Sequence, residues 1–273
     1  MVVFPNCKIN LGLRILRKRS DGYHDLETVF YPLAIKDVLE IIRAPEPGFT
    51  AYGIPIPGDP QNNLCGKAWQ LLKKDFPTLP PVSIHLYKHI PIGAGLGGGS
   101  SDGAFTLLLL NKQFNLGLTD PQLLNYAAQL GSDCPFFILN TPSLGGGRGE
   151  QLQPIPVDLK EYDILLIDPK VHVSTAQAFS LSTPGDKGQK ISIVIRQPVS
   201  TWRKDLINDF EEPVFRLHPQ LRDIKTLLYE KAAVYASLTG SGSSLFGIFK
   251  KGAIPTLDAN SLPFHFEKFE LSC

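Results

Sequence analysis

Apolar and polar residues alternate over 3–16, with a break at Pro5, which predicts a strand. Ser20-Asp21-Gly22 is a turn signal, and the alternation returns over 27–35 and 37–42 as two further strands. The proline- and glycine-rich stretch 45–60 predicts irregular chain without evident chemistry. Asn62 or Asn63 then caps a helix running to about Asp75, with Leu64, Ala68, Leu71 and Leu72 on its apolar face. After Pro80-Pro81, residues 82–90 alternate as a strand, followed by a glycine run and a helix over about 101–114. Thr119-Asp120-Pro121 opens another helix, which ends near Gly131.

The pattern restarts beyond Gly149. Residues 162–167 form a buried-type strand, and 174–181 a short capped helix. Helical periodicity covers 201–215 and 219–232. Short strands are expected over 234–238 and 245–249 around a second glycine turn, and over 264–271. The polar, proline-bearing stretch 151–161 suggests a boundary, giving an N-terminal domain 1–155 and a C-terminal domain 156–273.

Composition narrows the class. With 43% hydrophobic and 19% charged residues the chain is globular rather than disordered. A net charge of +1 argues against bulk electrostatic binding to nucleic acid or to an anionic membrane. Cys7, Cys65, Cys134 and Cys273 lack the close spacing of a zinc or redox motif. With no apparent secretory leader and no apolar stretch of spanning length, a reducing, cytoplasmic compartment is expected. Oligomeric state is open.

The most informative segment is Pro91-Ile92-Gly93-Ala94-Gly95-Leu96-Gly97-Gly98-Gly99-Ser100-Ser101-Asp102. Five glycines in seven positions are entropically costly in any fold. Set between a strand and a helix, they let backbone N–H groups approach an anion at a helix N-terminus. A phosphate loop follows. The P-loop pattern fails because no lysine closes it. A dinucleotide loop fails because no acidic residue ends a strand about 20 residues on.

The segment resembles the Pro-x-Gly-x-Gly-Leu-Gly-Gly-Gly-Ser-Ser signature of the GHMP kinases, small-molecule kinases that use ATP. Pro5-Asn6-Cys7-Lys8-Ile9-Asn10-Leu11 is similar to the family's first motif, with Asn6-Cys7 where one small residue often stands. Leu238-Thr239-Gly240-Ser241-Gly242-Ser243-Ser244 is similar to its third. The resemblance implies an α+β, two-domain GHMP kinase fold: an N-terminal mixed α/β domain, a C-terminal ferredoxin-like domain, and an active site between them. It also implies ATP and Mg2+ as cofactors, with Gly93, Gly95, Leu96, Gly97, Gly98, Gly99, Ser100 and Ser101 around the phosphates and magnesium. Lys88 and Asn63 match positions near the adenosine, although Asn63 also suits a plain helix cap.

Four further segments resemble the branch of the family whose small-molecule substrate is CDP-methylerythritol. They are Arg19 to His24, Gly131 to Phe137, Gly147 to Glu150, and Asp168-Pro169 through Ser174-Thr175 to Phe179. Alone, Asp133 in a Gly-x-Asp turn reads first as a solvated turn residue; the resemblance makes it the general base. Lys8 in an apolar strand needs a partner if it points inward, and Asp133 is a candidate. Asn10 shares that strand face and is expected to bind substrate. The resemblance implies that Tyr23 and Phe179 sandwich the cytosine, that His24 bonds its edge, and that Thr175 approaches the same substrate. Arg14, Arg17, Lys18 and Arg19 read as a solvated strand end, with an anion site as the alternative. The rivals are another small-molecule kinase of the family and a nucleotide-binding regulator without catalysis.

Overall fold

The structure, a computed structural model, describes residues 1–185, 188–257 and 267–272. In chain order it has β1 (Val2–Val3), β2 (Asn6–Lys18), β3 (His24–Lys36), β4 (Val38–Arg43), β5 (Gly48–Gly53), α1 (Leu64–Asp75), β6 (Val82–Lys88) and α2 (Gly98–Phe114). Then come α3 (Asp120–Leu130), α4 (Cys134–Leu139), β7 (Ser143–Gly146), β8 (Gln151–Pro154), β9 (Tyr162–Asp168) and α5 (Thr175–Leu181). The rest are α6 (Ile191–Val194), α7 (Trp202–Asp205), α8 (Glu211–Leu217), α9 (Pro219–Glu230), β10 (Tyr235–Leu238), β11 (Leu245–Lys250) and β12 (Glu267–Ser272).

Contacts group the chain into two compact units. One comprises Met1–Lys8, Pro32–Ile92 and Gly97–Thr141; the other comprises Ile9–Tyr31, Gly93–Leu96 and the chain from Pro142 onward. These units alternate along the sequence, because β2 and β3 each run from one into the other, and so they differ in kind from a single cut near residue 155.

The first unit has a sheet ordered β1-β4-β6-β5. Period-two alternation buries Leu39, Ile41, Ile84 and Leu86 on one face and leaves Val38 and Tyr87 exposed on the other. α2 packs on β4, α1 and α4 and supplies Leu107 and Leu110 to this core. β5 corrects the expectation that 45–60 is irregular. Residues Gly48–Gly53 pair in parallel with Gly48↔Ser83 through Gly53↔Lys88. Gly53 permits the close approach: at φ +77, a Cβ there would lie 2.2 Å from the Lys88 carbonyl oxygen.

The second unit has an antiparallel sheet ordered β10-β11-β9-β12, the strand order of a ferredoxin-like domain. Leu165, Ile167, Leu238 and Leu245 pack there with Phe210, Leu221, Ile224 and Leu228. A third sheet runs β2-β3-β7-β8. β8 occupies part of the stretch 151–161 read as a boundary, and β8 and β9 both belong to this second unit. The single helix expected over 201–215 is split into α7 and α8 by residues 206–210, where Leu13 and Asn208 form an isolated β-bridge. Of the last expected strand, residues 264–266 lie outside the described residues, as does Cys273.

Candidate active site

In the first unit, Lys8 leaves β2 with its side chain buried, and its ammonium stands 3.5 Å from Asp133 Oδ2. Burying a lysine without a counter-charge would be costly, so the pair explains how a lysine fits among Cys7 and Ile9. Asp133 precedes α4 but does not cap it with its side chain, and the carboxylate is 35% exposed. The carboxylate is therefore held by the lysine and open to a ligand at once. Next to it Cys134 is buried, and desolvation pushes its thiol up to about 12, which leaves it inert.

The glycine run meets this pair at Gly97. At φ +70, a Cβ on Gly97 would lie 3.1 Å from Lys8 Cε and 3.0 Å from Phe137 Cζ. α2 begins at Gly98, earlier than the expected Ser101, so the last glycines form its first turn. Gly98 packs on Ile90, where a Cβ would stand 2.9 Å from Cγ2. Gly99 is exposed and Ser100 half-buried. Ser101 is buried and its hydroxyl has no hydrogen-bond partner among the described residues. Leu96 is buried as well, so only its main chain can face an anion.

Sequence reasoning puts Lys88 beside the adenosine. The structure instead buries its ammonium between two carboxylates: it donates to Asp37 Oδ2, and to Asp102 Oδ2 at 2.8 Å. Asp37 Oδ1 also accepts from the backbone N–H groups of His89 and Ile90, at 2.6 and 2.9 Å. The triad thus ties the residues entering the glycine run to α2 at Asp102. Burial pushes the Asp102 carboxyl up to about 8 against the pull of Lys88, with Asp37 adding to the rise. Asp37 was not legible as a partner of Lys88, since nothing local links residues so far apart in sequence.

A cavity of about 490 Å³ opens beside this turn, lined by Tyr52, Gly53, Ile54, Asn63, Gly99 and Asp102 among others. Asn63 caps α1, its Oδ1 accepting from Cys65 N at 2.8 Å, and also faces the cavity. Apolar walls with a few convergent polar groups suit a flat aromatic base. Much of the wall comes from the 45–60 stretch in which the sequence showed no chemistry.

In the second unit, Gly93 is exposed, and Gly95 packs on the β10–β11 turn, where a Cβ on it would lie 2.0 Å from Thr239 O. Thr239 Oγ1 donates to Gly95 O at 3.2 Å and accepts from Asn10 N at 3.1 Å. Asn10 is buried, with its Nδ2 donating to Thr28 Oγ1 at 2.9 Å. Thr175 Oγ1 and Ser241 Oγ share a 2.9 Å hydrogen bond.

The aromatic residues depart from the expected sandwich. Phe179 stacks on His24, with centroids 4.7 Å apart and planes at 14°, rather than opposing Tyr23. The Phe179 ring also meets Phe210 edge-on at 4.8 Å. Tyr23 is 53% exposed, with the Arg148 guanidinium 4.8 Å from its ring centroid. Arg148 is a neighbour that sequence reasoning missed as an individual residue, although its Gly147-Arg148-Gly149-Glu150 segment stood out. Partial burial, with Lys18 nearby, holds the His24 imidazole below its ordinary value. The basic cluster also divides. Arg14 is buried, whereas Arg17 and Arg19 pair with Asp25 and Arg19 also with Asp21.

Among the described residues no group of three or more His, Cys, Asp or Glu could hold a metal by itself. Magnesium takes most of its ligands from phosphate and water. The unpartnered Ser101 hydroxyl at the end of the loop fits such an ion. No helix among the described residues is long and apolar enough to cross a membrane.

Comparison with known proteins identifies the family. Residues 63–141 match the GHMP kinases N terminal domain, and residues 199–268 match the GHMP kinases C terminal domain. The chain is 52% identical over 272 residues to a 4-diphosphocytidyl-2-C-methyl-D-erythritol kinase of Bacteroides thetaiotaomicron, covering 98% of this chain and 99% of the relative. It is 48% identical over 250 residues to the same-named enzyme of Cytophaga hutchinsonii, covering 91% and 92%. A crystal structure of 4-(cytidine 5'-diphospho)-2C-methyl-D-erythritol kinase superposes with a TM-score of 0.80 at 29% identity, over the whole of both chains. The Methanococcus jannaschii mevalonate kinase shares the fold, with a TM-score of 0.70 at 14% identity over 100% of this chain and 98% of that one. With these motifs, this fold and near-complete relatives at about half identity, the chain belongs to the GHMP kinase family, among the 4-diphosphocytidyl-2-C-methyl-D-erythritol kinases.

Proposed function

We propose that the protein transfers the γ-phosphoryl group of ATP to the 2-hydroxyl of 4-diphosphocytidyl-2-C-methyl-D-erythritol, a step of the non-mevalonate route to isoprenoid precursors. The observation that supports the chemistry is the pairing of buried Lys8 with the accessible carboxylate of Asp133, directly beside Gly97 of the glycine run. Phosphoryl transfer asks a protein chiefly for positioning and charge compensation. Asp133 accepts the proton of the acceptor hydroxyl, and Lys8 holds the carboxylate and the acceptor oxygen. Gly93, Gly95, Leu96, Gly97, Gly98 and Gly99 present main-chain N–H groups to the phosphates. Ser100 and Ser101 would hold Mg2+, which supplies charge neutralisation on the phosphates.

The adenosine occupies the cavity at Asn63 and Asp102, with Lys88 fixing Asp102 from below rather than touching the nucleotide. Tyr23, His24 and Phe179 take the cytosine. Because Phe179 is already stacked on His24, the base either joins that stack from the Tyr23 side or displaces the imidazole. Asn10 and Thr175 contact the rest of the acceptor. The same proposal divides the sequence at 155/156 into a nucleotide-binding half and a C-terminal half, and places the protein in the cytoplasm. The test is product analysis: protein, MgATP and the cytidine compound should yield ADP and a new phosphomonoester on carbon 2, seen by 31P NMR. A product phosphorylated at another hydroxyl, or ADP formed without any new ester, would contradict it.

A further inference from the structure

We propose that Asn208 is a positioning residue for the phosphate loop, acting through Thr239; this rests on the loop being the phosphate site. Asn208 is 1% exposed and lies between α7 and α8. Its Nδ2 donates to Leu238 O at 2.8 Å and to Gly240 O at 2.9 Å, so one amide grips the β10–β11 turn on both sides of Thr239. Carbonyl oxygens only accept, which fixes the amide orientation, and Oδ1 correspondingly accepts from Phe210 N at 3.0 Å. The segment carrying Asn208 is itself anchored. Leu13 N donates to Ile207 O at 2.9 Å, Asp209 N to Leu13 O at 2.8 Å, and Ile15 N to Asp209 Oδ2 at 2.8 Å.

Glu211 completes the grip. Its Oε1 accepts from Leu238 N and from Ser237 Oγ, both at 3.0 Å, while Lys225 pairs with Oε2 at 2.6 Å. Leu238 is therefore fixed at both its N–H and its C=O, which leaves Thr239 little freedom. The hydroxyl of Thr239 then bridges Asn10 N and Gly95 O. Gly240 abuts the same glycine, where a Cβ would lie 3.2 Å from Gly95 O. A displaced Thr239 must displace Gly95, and with it the main chain of the loop that would meet the phosphates.

The test measures ATP affinity by calorimetry in Asn208→Ser, Asn208→Asp, Thr239→Val and the double variant Asn208→Ser/Thr239→Val. Ser is too short to reach both carbonyls, and Asp keeps the shape but sets an acceptor against them. A residue acting through Thr239 gives non-additive effects. Each single variant should weaken ATP binding by about 10-fold or more, and the double variant should bind within about 2-fold of the weaker single. A merely structural Asn208 would lower the melting temperature and leave the ATP affinity of the folded protein unchanged, which overturns the proposal. Losses that multiply in the double variant overturn it too, as does failure of both Asn208 variants to fold, which assigns the residue to the fold. Gly97→Val is the control for the loop: if it weakens ATP binding while the Asn208 variants do not, only the grip fails; if it also changes nothing, the loop assignment fails.

Discussion

Gly97 stands directly against Lys8: a Cβ at position 97 would lie 3.1 Å from the lysine Cε. The start of α2 is thereby coupled to the ion pair that carries the transfer chemistry. A branched side chain there would push on Lys8 and Phe137 and would also strain a backbone at φ +70. Gly97→Val is expected to lose ATP binding in a protein that still folds. Calorimetry with unchanged ATP affinity would remove this loop from the phosphate site.

Asp133→Asn keeps the shape beside Lys8 and removes the proton acceptor. Turnover should fall by at least about 100-fold, the lower end of general-base contributions, with ATP affinity retained. Steady-state kinetics and a separate nucleotide titration distinguish the two quantities. A variant turning over within a few-fold of the parent would show that another group takes the proton.

The buried triad makes a stability prediction. Removing the ammonium in Lys88→Met leaves two buried carboxylates facing each other, and breaking such a pair costs about 3–5 kcal/mol. The pH dependence has a defined sign. Asp102 is raised to about 8 by burial, so the folded protein keeps a proton that the unfolded chain has released. That contribution is complete below about pH 4, the ordinary carboxylate range, and is lost as pH rises through about 8. Urea midpoints should fall between pH 5 and pH 8.5 in the parent and fall less in Asp102→Asn. An equal fall in both proteins would place the pH dependence elsewhere.

The aromatic group decides acceptor affinity. Base–aromatic stacking is worth about 1–3 kcal/mol, so Tyr23→Ala and Phe179→Ala should each weaken the cytidine substrate by about 5- to 150-fold. ATP affinity should barely change. His24→Ala should relax discrimination against the uridine analogue, because stacking tolerates either base and an edge hydrogen bond does not. A Phe179→Ala protein with parental affinity for the cytidine compound would separate Phe179 from the base and leave it as packing for His24 and Phe210.

What was legible in the sequence follows the range of the interactions involved. Local signals stood out: Asn62 or Asn63 as the cap of α1, of which the structure uses Asn63, Thr119 and Pro121 opening α3, and the alternation of β6. Lys8 was readable as an inward lysine only through the family resemblance, since a lone lysine in an apolar strand is as well placed facing outward at an edge. The start of α2 was placed late, since glycine is a poor helix former and the packing of Gly98 on Ile90 is not visible locally. β5 was missed because its glycine-bounded residues become a strand only through pairing with β6. α4 was missed because the apolar run Cys134–Leu139 shows no helical period and follows a turn. The partners that define the roles of Lys88, Phe179 and Asn208 are Asp37, His24 and the β10–β11 turn, all joined by contacts that no spacing rule anticipates.

The central claim is that this kinase acts on the cytidine diphosphate ester of methylerythritol. Its most direct measurement is kcat/KM from ADP release, with the cytidine compound, free methylerythritol phosphate, mevalonate and homoserine compared side by side. Binding energy from the remote cytosine should orient the reacting end, so the cytidine compound should be the best acceptor and the free phosphate very poor. Faster turnover of mevalonate or homoserine than of the cytidine compound would contradict the account.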